Sequence, residues 1–169
     1  MVIVFAGLPG VGKTTLAKYL AVKVQAVYLR VDTIEQALID SGDIAKENMG
    51  GAGYFVAYAI AKENLKMRQT VIADSVNPIT LTRTAWDQVA KVSKVPIFNI
   101  EVICSDQAEH RNRVETRQVD IENLQLPSWQ SVLDREYEHF NDVDLQIDTA
   151  HYTVEQAVDL IMSSISKIK

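Results

Sequence analysis

The stretch "VIVFAGLPGVGKTTLAKYL", residues 2–20, decides the fold class of this 169-residue chain. It begins with an apolar run rich in Val, breaks at three glycines and a proline, and continues with the residue spacing of a helix. A short apolar run that passes through glycines into a helix is typical of a buried strand, a tight loop and the helix that follows them.

The rest of the chain repeats this alternation of strand-like and helix-like segments. Several strand-like runs are continuously apolar, as expected for strands covered on both faces. The alternation therefore predicts an α/β fold in which a parallel sheet is flanked by helices on both faces, within one compact domain over residues 1–169. The predicted strands are 2–7, 26–32, 70–75, 98–105 and 144–149, and the predicted helices are 13–23, 33–40, 53–68, 79–92, 107–118, 128–140 and 153–167.

Capping residues and glycines mark several boundaries. Thr153 with Gln156 forms a possible capping box for the last helix, and Pro127 before Ser128 indicates a helix start. Segment 41–53 holds four of the seven glycines, which predicts a mobile connection.

Composition excludes several classes of protein. The net charge is −5, with 17 basic and 22 acidic residues, so long nucleic acid is not an expected partner. Cys104 is the single cysteine, which excludes an intramolecular disulfide and agrees with a reducing compartment. The three histidines are scattered and predict no zinc site. The N-terminal apolar stretch is too short for a signal peptide or a membrane span, so a cytoplasmic protein is expected. We also expect a monomer or a weak dimer.

Residues 7–14, "GLPGVGKT", match the pattern G-x-x-x-x-G-K-[ST] between a predicted strand and a predicted helix. In this context the pattern predicts a loop whose backbone N–H groups hold the phosphates of a nucleoside triphosphate. Lys13 is expected to bridge the β- and γ-phosphates, and the Thr14 hydroxyl to bind Mg²⁺. The plain alternative is a strand-to-helix turn with Lys13 exposed. The predicted nucleotide-binding residues are Leu8, Pro9, Gly10, Val11, Gly12, Lys13, Thr14 and Thr15.

Two carboxylates follow the second and third predicted strands, whose carboxyl ends should face one ligand crevice. Asp32 is placed to accept a hydroxyl proton or to orient a substrate, and its alternative role is to cap a helix that starts at Thr33. Asp74 suits coordination of Mg²⁺, with loop capping as its alternative. Asn77 and Arg83 follow and are candidates for substrate binding, although Asn77 before Pro78 is better explained as a turn residue.

Arg111, Arg113 and Arg117 lie in one predicted helix and its exit. Arg113 and Arg117 are four residues apart and are expected to share a face, while Arg111 points away. Guanidinium groups suit adenine stacking and the stabilisation of phosphate charge. The alternative is a solvated helix face with surface ion pairs, which is the favoured interpretation for Arg111.

Three aromatic residues, Tyr54, Phe55 and Tyr58, follow the glycine-rich segment. They are candidates for lining an acceptor pocket, but helix packing is the favoured interpretation. The chain has no N-K-x-D element, which argues against a GTPase. A kinase and an ATPase or nucleotide-dependent switch remain as alternatives.

Together, "FAGLPGVGKTTLAKYLA", the Asp after the second strand, "VIADSVNPITLTR" and the arginine-bearing helix resemble the small P-loop kinases of the AAA-type predicted-kinase group. This group is related to the polynucleotide 5'-hydroxyl kinase domain, chloramphenicol phosphotransferase, zeta toxins, and gluconate and shikimate kinases. The resemblance implies a three-layer P-loop NTPase fold with a five-stranded sheet in the order 2-3-1-4-5 and a small lid. It also implies transfer of the ATP γ-phosphate to a hydroxyl of a small molecule or nucleotide end.

The resemblance assigns roles to individual residues. It makes Asp32 the base for the acceptor hydroxyl, places Arg113 near adenine, and brings Arg117 to the transferred phosphate. It also implies a lid over residues 107–127 and an acceptor-side helical region over residues 41–68. The segment "IEQAL" departs from the family, because it lacks the basic residue that many relatives use on an anionic acceptor.

Overall fold

The computed structural model describes residues 1–167 of the chain. The strands are β1 Val2–Ala6, β2 Val27–Arg30, β3 Val71–Asp74, β4 Ile97–Ile103 and β5 Leu145–Asp148. The helices are α1 Lys13–Val24, α2 Val31–Asp40, α3 Ala52–Lys66, α4 Thr80–Ser93, α5 Gln107–Thr116, α6 Trp129–Leu133 and α7 Val154–Ile165, with a short 3-10 helix at Lys46–Asn48. No helix within the described range has the length and apolarity needed to cross a membrane.

The five strands form one parallel sheet in the order β2-β3-β1-β4-β5. Val4 of the central strand β1 faces Ala73 of β3 on one side and Asn99 of β4 on the other. This order confirms the predicted α/β fold. The carboxyl ends of β1, β2 and β3 lie side by side, so the loops that follow them meet at one edge of the sheet.

Helices cover both faces of the sheet, and alternate residues of β1 belong to different cores. Ile3 and Phe5 pack into the core that contains residues of α1 and α7. Val2 and Val4 pack into the core on the other face, with residues of α3 and α4 such as Trp86. Because successive strand residues point to opposite faces, a strand buried on both sides is apolar throughout. This is why the central strand reads as a continuous apolar run.

The predicted helix over 128–140 is wrong beyond α6, which ends at Leu133. The chain after it instead runs beside the loop that follows β3, where the backbone N–H of Glu138 donates to Pro78 O at 2.8 Å. The guanidinium of Arg83 donates to the carbonyl oxygens of Glu138 and His139. Tertiary contacts with the loop after β3 and with Arg83 thus hold this segment, and no helix forms beyond Leu133 up to residue 140.

The predicted helix caps are confirmed at both positions. Thr153 and Gln156 form a capping box at the start of α7. Ser128 caps α6 by accepting a hydrogen bond from the N–H of Ser131. Both caps satisfy N–H groups that have no partner inside the helix.

Candidate active site

The glycine loop after β1 adopts backbone conformations that favour glycine. Gly7, Gly10 and Gly12 have φ values of 138°, 87° and 98°. A side chain at Gly7 would overlap the carbonyl of Val102 on β4, and one at Gly10 would overlap Val114 on α5. The loop is therefore held closely between the sheet and α5, and the glycines are needed for both backbone shape and space.

The loop and the start of α1 present a set of unpaired backbone donors. Within residues 1–167, none of the N–H groups of residues 10–15 donates to a backbone or side-chain acceptor outside the regular helix ladder. Consecutive free N–H groups at a helix N-terminus form a concave site that favours anions. The loop has the shape and polarity that phosphate groups require.

Lys13 is buried beside this loop, with 7% of its surface exposed. Its Nζ donates to Leu8 O at 2.9 Å. Burial lowers the pKa of Lys13 to about 8, against the opposing attraction of Asp74 and Asp32. The plain alternative of an exposed lysine is wrong, because the ammonium lies inside the cleft near two carboxylates.

Leu8, Pro9 and Val11 contribute to the loop through their backbones. The carbonyl of Pro9 contacts Nε2 of His110 at 2.8 Å, and that of Val11 accepts a hydrogen bond from Thr149 Oγ1 at 2.8 Å. The side chains of Leu8 and Val11 pack against the core under the loop. These contacts fix the loop from below, while Pro9, Gly10, Gly12, Lys13, Thr14 and Thr15 line the cleft above it.

Asp74 ends β3 and is almost fully buried, with 2% of its surface exposed. Its Oδ2 accepts a hydrogen bond of 2.7 Å from the Tyr28 hydroxyl, and no loop N–H is capped by it among the described residues. Thr14 lines the same cleft. Hydroxyl and carboxylate oxygens are the ligands that Mg²⁺ prefers. No group of three or more His, Cys, Asp or Glu in the described chain is arranged to hold a metal ion.

Asp32 lies in the first turn of α2, which begins one residue earlier at Val31. The alternative that Asp32 caps a helix starting at Thr33 is wrong, since Arg30 occupies the N-cap position and no side chain caps α2. The half-buried Asp32 carboxylate lines the cleft at 3.7 Å from Nε of Arg30. Asp32 forms no side-chain hydrogen bond among residues 1–167, and it lines the same cleft as Lys13.

Arg30 is a cleft residue that sequence reasoning missed. Its side chain is 8% exposed, and its Nη1 donates to Asp120 at 2.7 Å. Lys18 on α1 binds the same Oδ2 of Asp120 at 2.8 Å. Arg30 and Asp120 are 90 residues apart, so no local pattern indicates that they meet.

Arg113 lines the cleft and ties three parts of the chain together. It donates to Glu109 on its own helix at 2.8 Å and to Oγ1 and O of Thr149 at 2.8 and 3.2 Å. Thr149 in turn donates to Val11 O in the glycine loop. The guanidinium thus holds the segment between β5 and α7 against the loop.

Arg117 follows the end of α5 at Thr116 and has an extended backbone. The predicted shared helical face of Arg113 and Arg117 is wrong for that reason, although both residues line the same cleft. The buried Nε of Arg117 has no hydrogen-bond partner in the described residues. Arg111 is exposed and pairs with Glu115 at 2.9 Å, as a solvated helix face requires.

Arg83 is a structural residue rather than a cleft residue. It is 7% exposed and donates to four carbonyl oxygens, those of Asn77, Pro78, Glu138 and His139. Its guanidinium also lies 4.3 Å from the ring centroid of Phe140. The candidate substrate-binding role of Arg83 is therefore wrong, because its donors are taken up by the backbone. Asn77 is a buried turn residue with φ of 51°, which agrees with the favoured interpretation.

The cleft beside the glycine loop has a volume of about 860 Å³ and adjoins a second cavity of about 640 Å³. The two share several lining residues, among them Asp32, Glu35 and Arg135. Most walls of the second cavity are apolar, with side chains from Val31, Ile39, Met49, Tyr54, Ile79 and Leu81. Apolar walls with a few polar groups are typical of small-molecule sites.

The three aromatic residues of α3 have different environments. Tyr54 lines the second cavity, and its hydroxyl accepts a hydrogen bond from the N–H of Asn77. Tyr58 packs edge-to-face on Trp86 with ring centroids 4.7 Å apart. Phe55 is 74% exposed. Helix packing is therefore confirmed for Tyr58 and for Tyr54, which also packs against the core beneath α3.

Glu35 lies one turn after Asp32 on α2 and lines the second cavity. Like Arg30, it was not predicted from the sequence. Burial and the neighbouring charge of Asp32 raise the pKa of Glu35 to about 7, while Arg135 acts against them. A shift of this size marks a carboxyl group in an unusual environment. The signal in the sequence was its position three residues after Asp32, which places the two on one helix face.

Residues 2–137 match the AAA domain family. A search of curated proteins finds no match. Kti12 from Chaetomium thermophilum, in complex with ADP-AlF3, is similar in structure, with a TM-score of 0.71, 24% identity, and coverage of 98% of this chain and 99% of that chain. APS kinase CysC from Mycobacterium tuberculosis, in complex with AMPPNP and APS, gives a TM-score of 0.66 and 13% identity over 98% and 96% of the chains. A gluconokinase from Sinorhizobium meliloti gives 0.64 and 14% over 99% and 92%. The chain therefore belongs to the AAA domain family, and its fold is similar to that of the small kinases named above.

Proposed function

We propose that this protein is an ATP- and Mg²⁺-dependent kinase that transfers the γ-phosphate to a hydroxyl of a small molecule or nucleotide end. One observation carries the proposal: the phosphate-type loop, Lys13, Asp32, Asp74 and Arg117 line one cleft, and that cleft adjoins an apolar cavity. A nucleotide site alone would not require a carboxylate at the junction with a second cavity. Asp32 lies at that junction.

The free N–H groups of residues 10–15 and the Lys13 ammonium are proposed to hold the phosphates of ATP. Thr14 and Asp74 are proposed to hold Mg²⁺, which would neutralise phosphate charge when bound. Arg113 lines the cleft next to Thr149 and is proposed to contact the adenine. The neighbouring AMPPNP and ADP-AlF3 complexes support the use of an adenine nucleotide.

Asp32 is proposed to act on the acceptor. As the acceptor oxygen forms its bond to the γ-phosphorus, the bond from that phosphorus to the leaving oxygen of ADP breaks, and the hydroxyl proton passes to the Asp32 carboxylate. Arg117 is proposed to stabilise the charge of the phosphoryl group in transfer, since its buried Nε is free. Each role uses a side chain that lines the cleft.

We also propose that residues 107–127 act as a lid and residues 41–68 as the acceptor side of a single domain over residues 1–169. Contacts between the segment after α5 and the rest of the cleft support this division. Asp120 binds Arg30, Asn123 donates to Asp40 at 3.4 Å, and Lys46 donates to Gln125 at 2.9 Å. The part of this region after α5 is held by a few polar contacts, of which those of Asn123 and Lys46 are exposed, so we expect this part to open at low cost.

The alternative is an ATPase or nucleotide-dependent switch without an acceptor. The contact between Asp120 and Arg30 favours it, because a carboxylate on that cation competes with phosphate, and nucleotide binding would then release the segment around Asp120. This alternative predicts hydrolysis at a rate that no acceptor changes.

The test is to supply ATP labelled at the γ-phosphate, with Mg²⁺, to a panel of small hydroxyl compounds and 5'-hydroxyl oligonucleotides. The proposal predicts a labelled ester, a loss of about 100-fold or more in Asp32→Asn, and a normal rate in Asp159→Asn, an exposed residue outside both cavities. ATP binding with label only in inorganic phosphate, and no effect of Asp32→Asn, would contradict it.

A further inference from the structure

The acceptor-side cavity contains two carboxylates on one helix face. Asp32 and Glu35 are three residues apart on α2, which places their Cβ atoms on the order of 5–6 Å apart. Both line the cavity. A ligand in this cavity therefore meets a second acidic group next to the proposed base.

The side chain of Glu35 is held in place by close packing against α3. A Cβ at Gly53 would overlap Cγ of Glu35, so the glycine allows the glutamate stem to lie directly on the backbone of α3. Gly53 itself is buried. The carboxylate is therefore positioned by the contact between two helices rather than by a flexible surface.

Glu35 has no ion pair and no hydrogen bond to a side chain or backbone group within residues 1–167. The cavity also contains two cationic side chains. Lys46 donates to Gln125. Arg135 forms no ion pair or hydrogen bond with Glu35 among the described residues, although its charge acts against the rise in the pKa of Glu35.

A partly buried carboxylate without a partner is unfavourable, and a cationic group would restore the lost interactions. The raised pKa of Glu35 agrees with a partly buried carboxylate that has no cationic partner. An anionic acceptor would instead face two carboxylates at once. Because most walls of the cavity are apolar, the ligand is also expected to contain a hydrocarbon group that packs against them.

We propose that the acceptor is a small amino alcohol with an apolar body, whose hydroxyl lies at Asp32 and whose ammonium lies at Glu35. This inference rests on the proposed kinase function and narrows its acceptor to a cationic small molecule. Glu35 is thereby a specificity-determining residue. The segment "IEQAL" agrees with it, because it contains Glu35 and no basic residue.

Binding is measured by calorimetry with four compounds that share one body: phenylalaninol, its N-acetyl derivative, phenylpropanol and phenyllactate. The full-length protein is used with and without Mg²⁺ and AMPPNP. The expected result is that phenylalaninol binds about tenfold more tightly than phenylpropanol, which is the effect of one charge-assisted hydrogen bond. The N-acetyl compound should lose this preference and phenyllactate should bind most weakly.

In Glu35→Gln, the dissociation constants of phenylalaninol and phenylpropanol are expected to become nearly equal. Glu35→Asp is expected to keep part of the preference for phenylalaninol. Glu155→Gln, an exposed glutamate outside both cavities and outside residues 41–68, should keep the ratio of the parent protein. The inference is overturned if phenylalaninol shows no preference, if no compound binds, or if Glu35→Gln leaves the ratio unchanged.

Transfer of label from ATP to the same compounds tests the kinase function separately. If the protein binds phenylalaninol preferentially but forms no labelled ester, the result would count against the kinase function and still support a cation site at Glu35. Labelled ester on the neutral or anionic compounds in preference to phenylalaninol would keep the kinase and overturn the amino-alcohol acceptor.

Discussion

The hydroxyl of Tyr28 donates a hydrogen bond of 2.7 Å to Oδ2 of Asp74. Tyr28 faces Ile72 across β2 and β3, so Asp74 is its diagonal neighbour two residues further along the adjacent strand. The bond engages one oxygen of a carboxylate that is 2% exposed. It orients the carboxylate that is proposed to bind Mg²⁺.

Tyr28→Phe is therefore expected to raise the Mg²⁺ concentration for half-maximal activity by about tenfold, because groups that orient a metal ligand have effects of this order. A Mg²⁺ titration at saturating ATP measures it. Tyr19→Phe, an exposed tyrosine on α1, is the control and should not change the titration. Identical Mg²⁺ titration curves for Tyr28→Phe and the parent protein would show that Tyr28 does not orient a Mg²⁺ ligand.

Nucleotide affinity is expected to depend on pH through Lys13. Burial lowers the pKa of Lys13 to about 8 in the free protein, and phosphates bind its charged form, which raises that pKa in the complex. Affinity is therefore highest below pH 8 and falls as the pH rises above it. ATP itself does not interfere, since phosphate monoesters complete their ionisation near pH 6.

Calorimetric titration with Mg²⁺ and AMPPNP between pH 7 and 9.5 would detect this dependence. Lys13→Ala should bind weakly and show no fall above pH 8. A parent protein whose affinity is constant across this range would show that Lys13 keeps its charge throughout.

Asp120→Asn is expected to tighten nucleotide binding by a few fold. Hydrogen bonds from Arg30 and Lys18 hold the pKa of Asp120 well below its usual range, so at neutral pH its negative charge occupies cations at the edge of the cleft. Removing that charge leaves the cations available for phosphate. Stability should change by less than about 1 kcal/mol, because Asp120 is nearly half exposed.

The matched control for Asp120 is Asp159→Asn. Asp159 forms a similar exposed contact with Lys23 at 2.7 Å, between α7 and α1 and outside both cavities. Its loss should leave nucleotide affinity unchanged. Weaker binding in Asp120→Asn than in this control would mean that Asp120 assists the nucleotide rather than competing with it.

Arg83→Met is expected to destabilise the protein by about 3 kcal/mol or more, because it leaves four carbonyl oxygens without their charged donor. Denaturant unfolding measures the change. Arg111→Met removes an exposed arginine from a surface pair and should cost less than about 1 kcal/mol. A stable Arg83→Met with a raised KM would instead restore the substrate-binding role.

The parts of the fold that could be predicted from the sequence depend on local patterns. The loop from Gly7 to Thr14 is specified by glycine geometry and a helix start within eight residues, and the buried strands are recognisable by unbroken apolar runs. The caps at Ser128 and Thr153 are equally local. Each of these features depends on residues within a few positions of one another.

The features that were missed depend on distant partners. Arg30 meets Asp120 across 90 residues, and Arg83 meets the carbonyl of His139 across 56. The segment over 134–140 has a helical pattern, but tertiary contacts with the loop after β3 override it. Glu35 was not recognised as a cavity residue, because its environment depends on the approach of α3 at Gly53.

The most direct test of the central claim is to follow the γ-phosphate of labelled ATP in the presence of Mg²⁺ and phenylalaninol or another hydroxyl compound of the panel. The proposed kinase function predicts a phosphate ester whose formation requires Lys13 and falls by about 100-fold or more in Asp32→Asn. Label recovered only as inorganic phosphate, at a rate that neither an acceptor nor Asp32→Asn alters, would contradict it.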